Sequence, residues 1–279
     1  MPIKKIDKNT AIKQNRKLFQ PSNRHKSQPP NHFQKKSGRA SANKNLHTGS
    51  KTNENLLKTF YSDSDYGKSL LNKNLTTLLK NGEHFFQIPH SKTFDLVTTY
   101  PGLLIGAGYA HPKPKESNDD FQLGFFFDHT TGMPIIPGSS IKGVLRSIAP
   151  LDKKDPLYDN KKAYMQAVYD SDEAMIEKFC ACFEDQSTVF YDAYPVDTED
   201  SEGRIFADDY ITPHGDNLTE EPNPIRFLKI RPGVTFRFQF DAAPKLVELF
   251  EQILTDRGIG AKTNVGYGQM VPNKAESGN

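Results

Sequence analysis

A helix start with two serines and two cations lies at residues 136–146, with the sequence IPGSSIKGVLR. The Pro-Gly-Ser-Ser start is typical of a helix N-terminus with a hydroxyl cap. Unbonded backbone N–H groups at such a start, beside the hydroxyls of Ser139 and Ser140, form an anion site. Lys142 and Arg146 are four residues apart and share one helix face. The segment therefore either supports a phosphodiester backbone or is a capped helix with two solvated cations.

A glycine-rich segment, GIGAKTNVGYG, follows near the C-terminus at residues 258–268. Its four glycines permit close backbone approach and positive φ angles; they are Gly258, Gly260, Gly266 and Gly268. Between them, Lys262, Thr263 and Asn264 offer a charge and hydrogen-bonding groups, and Tyr267 offers a ring that can stack on a base. A phosphate-binding P-loop is disfavoured because Ala261 stands where that motif has glycine, and because the segment follows a helix.

The charge is divided unevenly along the chain. Residues 1–51 hold 13 Lys or Arg and one acid, a net charge of +12, whereas the remainder carries a net charge of −10. Because residues 1–51 contain few large apolar side chains, we expect a disordered basic tail. The tail is either an arm for polyanions such as RNA or DNA, or a solubilising leader.

The composition argues against several other classes of protein. The longest apolar runs, such as residues 103–105 and 125–127, are far too short to cross a bilayer. The first 30 residues lack the apolar stretch of a secretory signal, and two cysteines cannot form a disulfide framework. We therefore expect a cytoplasmic protein with no membrane partner, no cofactor and no bound metal.

Apolar periodicity predicts the elements that must position the two segments. Strands are expected at residues 94–105, 187–194, 204–211, 234–240 and 267–271, and helices at 138–149, 160–184 and 244–256. Leucines at helical spacing between Leu70 and Leu79 predict a further helix. With insertions set aside, the order is βαββαβ, the pattern of ferredoxin-like domains that RNA-recognition motifs also use.

The predicted fold is therefore α+β, a ferredoxin-like (RNA-recognition-motif-like) domain with helical and loop insertions. We expect this domain at residues 94–272, with an insertion at about 150–186. A helical N-terminal extension is expected at 52–93 and a disordered C-terminus at 273–279.

The pairing of IPGSSIKGVLR with the later GIGAKTNVGYGQM resembles the RAMP superfamily of CRISPR proteins, whose hallmark is a glycine-rich loop after the second ferredoxin-like helix. Three middle segments narrow this resemblance to the family of sixth subunits of Cmr (type III-B) effector complexes. They are FYDAYP (190–195), DYITPHGDN (209–217) and PNPIRFLKIRPGVTFRF (222–238). The resemblance covers about residues 94–272 and leaves out the basic tail.

The resemblance implies a non-catalytic subunit of an antiviral ribonucleoprotein that holds the 3′ part of the guide RNA and its target RNA. Its implied partners are guide RNA, target RNA and other RAMP subunits. Base pairing supplies the sequence specificity, so the protein needs only backbone and shape contacts. His129, just ahead of the serine-rich helix start, is a further candidate RNA contact, whereas the His general base of another RAMP branch is disfavoured for His111 and His129.

Two alternatives remain open at this point. RAMP subunits that cut RNA use an Asp in the loop after the first strand, here residues 107–120, which contains Asp119 and Asp120. A carboxylate there can bind Mg²⁺ or act as a base, which gives a metal-dependent endoribonuclease. The second alternative is a protein–protein scaffold that makes no direct contact with RNA.

Overall fold

The computed structural model describes residues 73–75, 79–80, 85–105, 125–185, 187–211 and 225–273. Four groups of predictions lie wholly or largely outside these residues: the basic tail, most of the N-terminal extension, the loop at 107–120 and the C-terminus after Asn273. Of the predicted helix between Leu70 and Leu79, the described part agrees with a helix, because the Leu79 N–H donates to the Leu75 carbonyl at 2.9 Å.

Within these ranges, and apart from the helical residues 79–80, the chain forms seven strands, four α-helices and one 3₁₀ helix. The strands are β1 (Lys92–Thr98), β2 (Val189–Phe190), β3 (Tyr194–Thr198), β4 (Phe206–Ile211), β5 (Ile225–Ile230), β6 (Val234–Asp241) and β7 (Met270–Pro272). The helices are α1 (Gly138–Ile148), α2 (Tyr158–Tyr169), α3 (Glu173–Ala181) and α4 (Pro244–Arg257), and the 3₁₀ helix is Thr263–Val265. The chain is a mixed α/β protein with antiparallel sheets.

The main sheet is organised around β6. This strand pairs antiparallel with β1 on one side and with β2 and β3 on the other, and β7 pairs antiparallel with the far side of β1. The alternation predicted for 234–240 is confirmed on one face, where Phe236, Phe238 and Phe240 are fully buried. Phe94 of β1 stacks on Phe238 with ring centroids 5.3 Å apart.

Helices α1 and α4 pack on this apolar face. The stripe predicted for α4 is buried, and its Phe250 ring lies 5.2 Å from Phe240 and 5.7 Å from Phe190. Helix α1 contributes Ile141 and Leu145, both fully buried. Burial of apolar surface on these two helices and the sheet supplies the main driving force for this core.

The opposite face of β6 is polar in sequence but is not a solvent face. Arg237 donates two hydrogen bonds to the Asp95 carboxylate of β1, at 2.8 and 2.6 Å. Gln239 donates to the Phe86 carbonyl at 3.1 Å and accepts from the Ile88 N–H at 3.0 Å. The segment just before β1 therefore covers part of this face, and Gln239 is only 2% exposed.

Strand β4 pairs with β5 in a separate two-stranded sheet. The prediction of a strand at 204–211 is confirmed, but β5 was not predicted. The side chains from Phe227 to Ile230 are all buried. The strand therefore lacks the alternation of buried and exposed residues on which a strand prediction depends. The hairpin joins the rest of the molecule through a bridge between Leu103 and Ile230.

The single strand predicted at 94–105 is wrong, because β1 ends at Thr98. Pro101 has no N–H to donate, and Gly102 has a φ of +119°, so the chain turns here. The apolar residues that follow the turn are buried as a separate segment. The predicted last strand at 267–271 is likewise shorter and later, because the glycine-rich loop continues to Gly268.

The strand predicted at 187–194 is also divided. Between β2 and β3, Ala193 bonds with Ile136, and the Asp192 side chain accepts the Gly138 N–H at 2.7 Å. Both contacts engage the segment that leads into α1. The helical stretch predicted at 160–184 is two helices, because Asp170 has a φ of +50° and the Asp172 side chain caps α3.

Candidate nucleic-acid interface

The glycine-rich loop, residues 258–268, begins directly after α4 and leads to β7. Gly260 has a φ of +95° and Gly268 a φ of +70°, and the 3₁₀ helix lies between them. A Cβ on Gly260 would lie 2.2 Å from the Leu104 carbonyl oxygen. A Cβ on Gly268 would lie 1.8 Å from the Ile259 carbonyl oxygen. Glycine is therefore required at both positions by backbone angle and by space.

Backbone hydrogen bonds close this loop onto the turn after β1. The Ala261 N–H donates to the Leu104 carbonyl at 2.8 Å, and the Gly268 N–H donates to the Gly102 carbonyl at 2.8 Å. The Ile259 N–H donates to the Gly268 carbonyl at 2.9 Å and joins the two ends of the loop. The loop is thus an ordered, closed structure held by main-chain contacts.

Tyr267, predicted to stack on a base, is anchored inside the molecule. Its hydroxyl donates to the Asp209 Oδ2 atom at 2.7 Å, and this carboxylate oxygen also accepts from the Lys229 ammonium at 2.6 Å. The Lys229 ammonium lies 5.8 Å from the centre of the Tyr267 ring, and the Phe227 ring meets it at 6.1 Å. These contacts join the glycine-rich loop to the β4–β5 hairpin.

The pKa shifts of Asp209 and Tyr267 agree with the hydrogen bonds between them. Partial burial opposes ionisation of Asp209, but the hydrogen bonds from Lys229 and Tyr267 outweigh it and lower the pKa of that carboxyl. Burial, followed by the hydrogen bond to Asp209, raises the pKa of the Tyr267 phenol. Tyr267 is therefore a neutral donor to an ionised carboxylate.

The tip of the loop is its most accessible part. Asn264 and Val265 are exposed, with Val265 at 63%, whereas Lys262, Thr263 and Gly266 are half-buried. Lys262 adopts a left-handed backbone with φ +58°, unusual for a residue with a side chain. The tip presents an amide, an apolar side chain and a lysine close together in sequence.

The predicted hydroxyl cap of α1 is wrong. The cap residue is Pro137, with no side-chain cap hydrogen bond, and Ser139 and Ser140 lie inside the first turn. The Gly138 N–H is taken by the Asp192 carboxylate at 2.7 Å. The Asp192 carboxylate therefore already occupies part of this helix N-terminus. Side-chain acceptors commonly satisfy the unpaired N–H groups at a helix start in this way.

The two cations of α1 differ in environment. Lys142 is half-buried, with its ammonium 5.7 Å from the centre of the Phe190 ring of β2. Arg146 is exposed in the last turn of the helix. The remaining predicted contact, His129, is exposed in a turn that Asp128 holds by accepting from the Thr131 N–H at 2.9 Å.

The two predicted segments lie against different parts of the sheet. The start of α1 contacts Asp192 beside the edge strand β2, whereas the glycine-rich loop leads into β7 at the other edge. They are thus two candidate surfaces. His111, Asp119 and Asp120 lie outside the described residues, and within those residues no group of three or more His, Cys, Asp or Glu is placed to hold a metal ion.

Sequence reasoning missed the residues that hold Tyr267. Asp209 is the first residue of DYITPHGDN, a segment that entered the sequence analysis only through the family resemblance. Nothing in the sequence marked it as the partner of Tyr267. It also missed Tyr100, which is 84% exposed at the turn after β1.

Two solved structures are similar in outline. A chain of the type III-B Cmr-beta complex bound to cognate target RNA has 24% sequence identity and a TM-score of 0.44, covering 77% of this chain and 67% of that one. The crystal structure of Cmr6 from Pyrococcus furiosus has 22% identity and a TM-score of 0.41, covering 66% of this chain and 98% of that one.

Two curated relatives with similar sequences are both named as Cmr6 subunits. The CMR subunit Cmr6 of Saccharolobus solfataricus is 28% identical over 165 residues, covering 56% of this chain and 51% of that protein. The Cmr subunit Cmr6 of Pyrococcus furiosus is 25% identical over 198 residues, covering 50% of this chain and 58% of that protein. The chain spans just over half the length of the curated relatives it matches.

The family profile extends over most of the structure just described. The RAMP superfamily profile matches residues 95–271, from within β1 to within β7. The matched region contains α1, the β4–β5 hairpin and the closed glycine-rich loop, and it exceeds half of the chain. In the described residues, no helix is both long and apolar enough to span a membrane. The chain belongs to the RAMP superfamily.

Proposed function

We propose that the protein is a non-catalytic RNA-binding subunit of a type III-B CRISPR effector complex. In this role it holds the 3′ part of the guide RNA and the paired target RNA beside other RAMP subunits in the cytoplasm. The closed glycine-rich loop carries the proposal, because its tip offers backbone, amide and lysine groups that meet RNA without reading bases. The curated relatives named as Cmr6 support the choice of complex.

The sheet supports a finer proposal about the fold. The β4–β5 hairpin and helices α2 and α3 are treated as insertions, and β2 and β3, which both pair with β6, are counted as one interrupted strand. The remaining elements then follow the order βαββαβ. All pairings in the main sheet are antiparallel. We therefore assign the ferredoxin-like pattern to the domain at residues 94–272, with the helices α2 and α3 as its insertion at about 150–186.

The basic face of α1 provides the second proposed RNA contact. Arg146 is exposed and Lys142 is half-buried one turn earlier, while Ile141 and Leu145 on the other side of the helix are buried. Because Asp192 already accepts the Gly138 N–H, the cations and not the helix start are expected to carry the phosphate contact. Ser139 and Ser140 would then add hydroxyl donors beside them.

The charge-removal experiment compares two double variants of the full-length chain. Lys142→Ala with Arg146→Ala removes the proposed contacts, and Lys153→Ala with Lys154→Ala removes two exposed cations before α2 as a matched control. We expect the first variant alone to bind single-stranded RNA more weakly, with the slope of log K against log salt reduced by about 1.4 for two lost phosphate contacts. Equal slopes in both variants would contradict the assignment of α1.

The role in a complex is tested by a tagged pull-down from the native host with sequencing of the bound RNA. We expect guide RNAs and several other RAMP-type chains. Recovery of the partner chains after nuclease treatment, with no RNA crosslink to this subunit, would favour the scaffold alternative and refute the proposed RNA contact.

A further inference from the structure

The ring and hydroxyl of Tyr267 are already engaged by contacts inside the molecule. Its hydroxyl is bonded to Asp209, the Lys229 ammonium lies over its ring at 5.8 Å, and Phe227 packs against it. A base stacking on the face that Lys229 covers would have to displace a cation that is itself paired with the Asp209 carboxylate. Tyr267 is therefore suited to hold the loop and not to contact RNA bases.

A second tyrosine stands beside it in a different environment. Tyr100 follows β1 and is 84% exposed, the most exposed large apolar side chain in the described part of the molecule. Within that part, no hydrogen bond or ring contact involves the Tyr100 side chain. The Thr99 N–H donates to the Gln269 carbonyl at 3.0 Å and the Gly268 N–H donates to the Gly102 carbonyl at 2.8 Å, so the turn that carries Tyr100 lies beside the end of the loop that carries Tyr267.

The glycine-rich loop adjoins Tyr100 directly. The Pro101 Cδ lies 3.5 Å from the place that a Cβ of Gly266 would occupy, so the loop tip rests on the residue after Tyr100. Val265, next to Gly266, is 63% exposed. A single exposed tyrosine is ordinary on a protein surface. Here the exposed ring stands on a turn whose next residue, Pro101, touches the proposed RNA-binding loop at Gly266, beside the exposed Val265.

We propose that Tyr100 is the base-stacking residue of this interface and receives an unpaired RNA base on its exposed ring. The inference rests on the proposed function and adds a residue to it. Stacking suits a subunit that does not read sequence, because every base has a flat aromatic face. Tyr267, bonded to Asp209, is the positioning residue that keeps the loop tip against the Tyr100 turn.

The test uses the full-length chain and a fluorescein-labelled oligouridylate of about 12 nucleotides, a length within the range that single-stranded binding folds cover. Tyr100→Leu keeps an apolar side chain but removes the ring, and Tyr100→Phe keeps the ring. Loss of one base–aromatic stack weakens affinity about five- to 150-fold. We expect that loss for Tyr100→Leu, near wild-type affinity for Tyr100→Phe, and no change for Phe86→Ala, which removes another highly exposed ring.

Three further readouts separate stacking from charge and from structure. Tyr100→Leu is expected to leave the salt slope and the melting temperature unchanged, because it removes neither a phosphate contact nor a buried group. Tyr267→Phe is expected to lower the melting temperature together with RNA affinity, because it removes the hydrogen bond that ties the loop to the Asp209 carboxylate. An RNA carrying 2-aminopurine is expected to lose its stacking-dependent fluorescence change with Tyr100→Leu.

The outcomes distinguish this inference from the proposed function. If wild-type protein binds the RNA and Tyr100→Leu binds equally well, the stacking role is refuted while the RNA-binding function stands. If Tyr100→Leu impairs only assembly with partner chains, the ring faces protein and the inference is again refuted. If wild-type protein and its assembled complex fail to contact RNA through this subunit, the proposed function fails and the inference fails with it.

Discussion

Replacing Gly268 with alanine tests the closed form of the glycine-rich loop. The new Cβ would lie 1.8 Å from the Ile259 carbonyl oxygen, at a φ of +70°. A left-handed backbone costs a residue with a side chain about 1–2 kcal/mol. Forcing a methyl group against packed atoms costs about 1–3 kcal/mol more. We expect the free energy of unfolding to fall by about 2–5 kcal/mol.

The same substitution at Gly143 is the matched control. Gly143 lies within α1, and nothing lies within 4 Å of the place its Cβ would take. Alanine is favoured over glycine inside a helix by about 0.5–1 kcal/mol, so Gly143→Ala is expected to stabilise the protein by that amount. Glycine-to-alanine substitution is thus predicted to destabilise the protein at residue 268 and to stabilise it at residue 143.

Urea unfolding followed by far-ultraviolet circular dichroism measures both variants. Gly268→Ala is also expected to weaken RNA binding, because the carbonyl of Ile259 and the bonds that close the loop must move to admit the methyl group. A free energy of unfolding within about 0.5 kcal/mol of wild type for Gly268→Ala, the range of ordinary surface substitutions, would refute the closed geometry described for the loop.

Two further predictions concern ion pairs away from the loop. Arg237→Ala leaves the Asp95 carboxylate, whose side chain is 4% exposed, without its bidentate partner, and we expect a loss of about 3–5 kcal/mol in urea unfolding. The double variant Asp95→Asn with Arg237→Met is expected to recover part of that loss; no recovery would contradict the role of the unpaired charge. Hydrogen bonding from Arg204 lowers the pKa of Asp200 to about 2, so this carboxylate favours the folded state above its ordinary pKa, and that contribution is lost as the pH falls toward 2. Asp200→Asn is therefore expected to flatten the fall of melting temperature between about pH 4 and pH 2, and an unchanged profile would show that the pair contributes nothing.

The spacing of apolar residues was sufficient to predict the helices and strands that dominate the core. Helix α4 and strand β6 each carry an uninterrupted pattern of apolar side chains, and both formed close to their predicted bounds. Helix α1 also formed as predicted, because the Pro-Gly start and Pro150 mark its two ends. The glycine-rich loop could be located because its glycines are grouped directly after a strong helix.

Sequence patterns failed where pairing depends on distant residues. Strand β5 has no clear alternation, and its assignment depends on pairing with β4 across a long connection. The strand predicted at 187–194 divides because Ala193 and Asp192 are engaged by the segment that leads into α1. The polar face of β6 could not be distinguished from a solvent face, because the segment that covers it lies about 150 residues earlier.

The family resemblance, the apolar core elements and the glycine-rich loop could be predicted from the amino-acid sequence, because residue type and spacing encode each of these locally. The environment of each tyrosine in the candidate interface depends instead on tertiary packing. The Tyr267 hydroxyl is bonded to Asp209, 58 residues earlier, whereas Tyr100 is left exposed by the turn at Pro101. Hydrogen bonding and burial arise from which surfaces meet when the chain packs, and no local spacing specifies them.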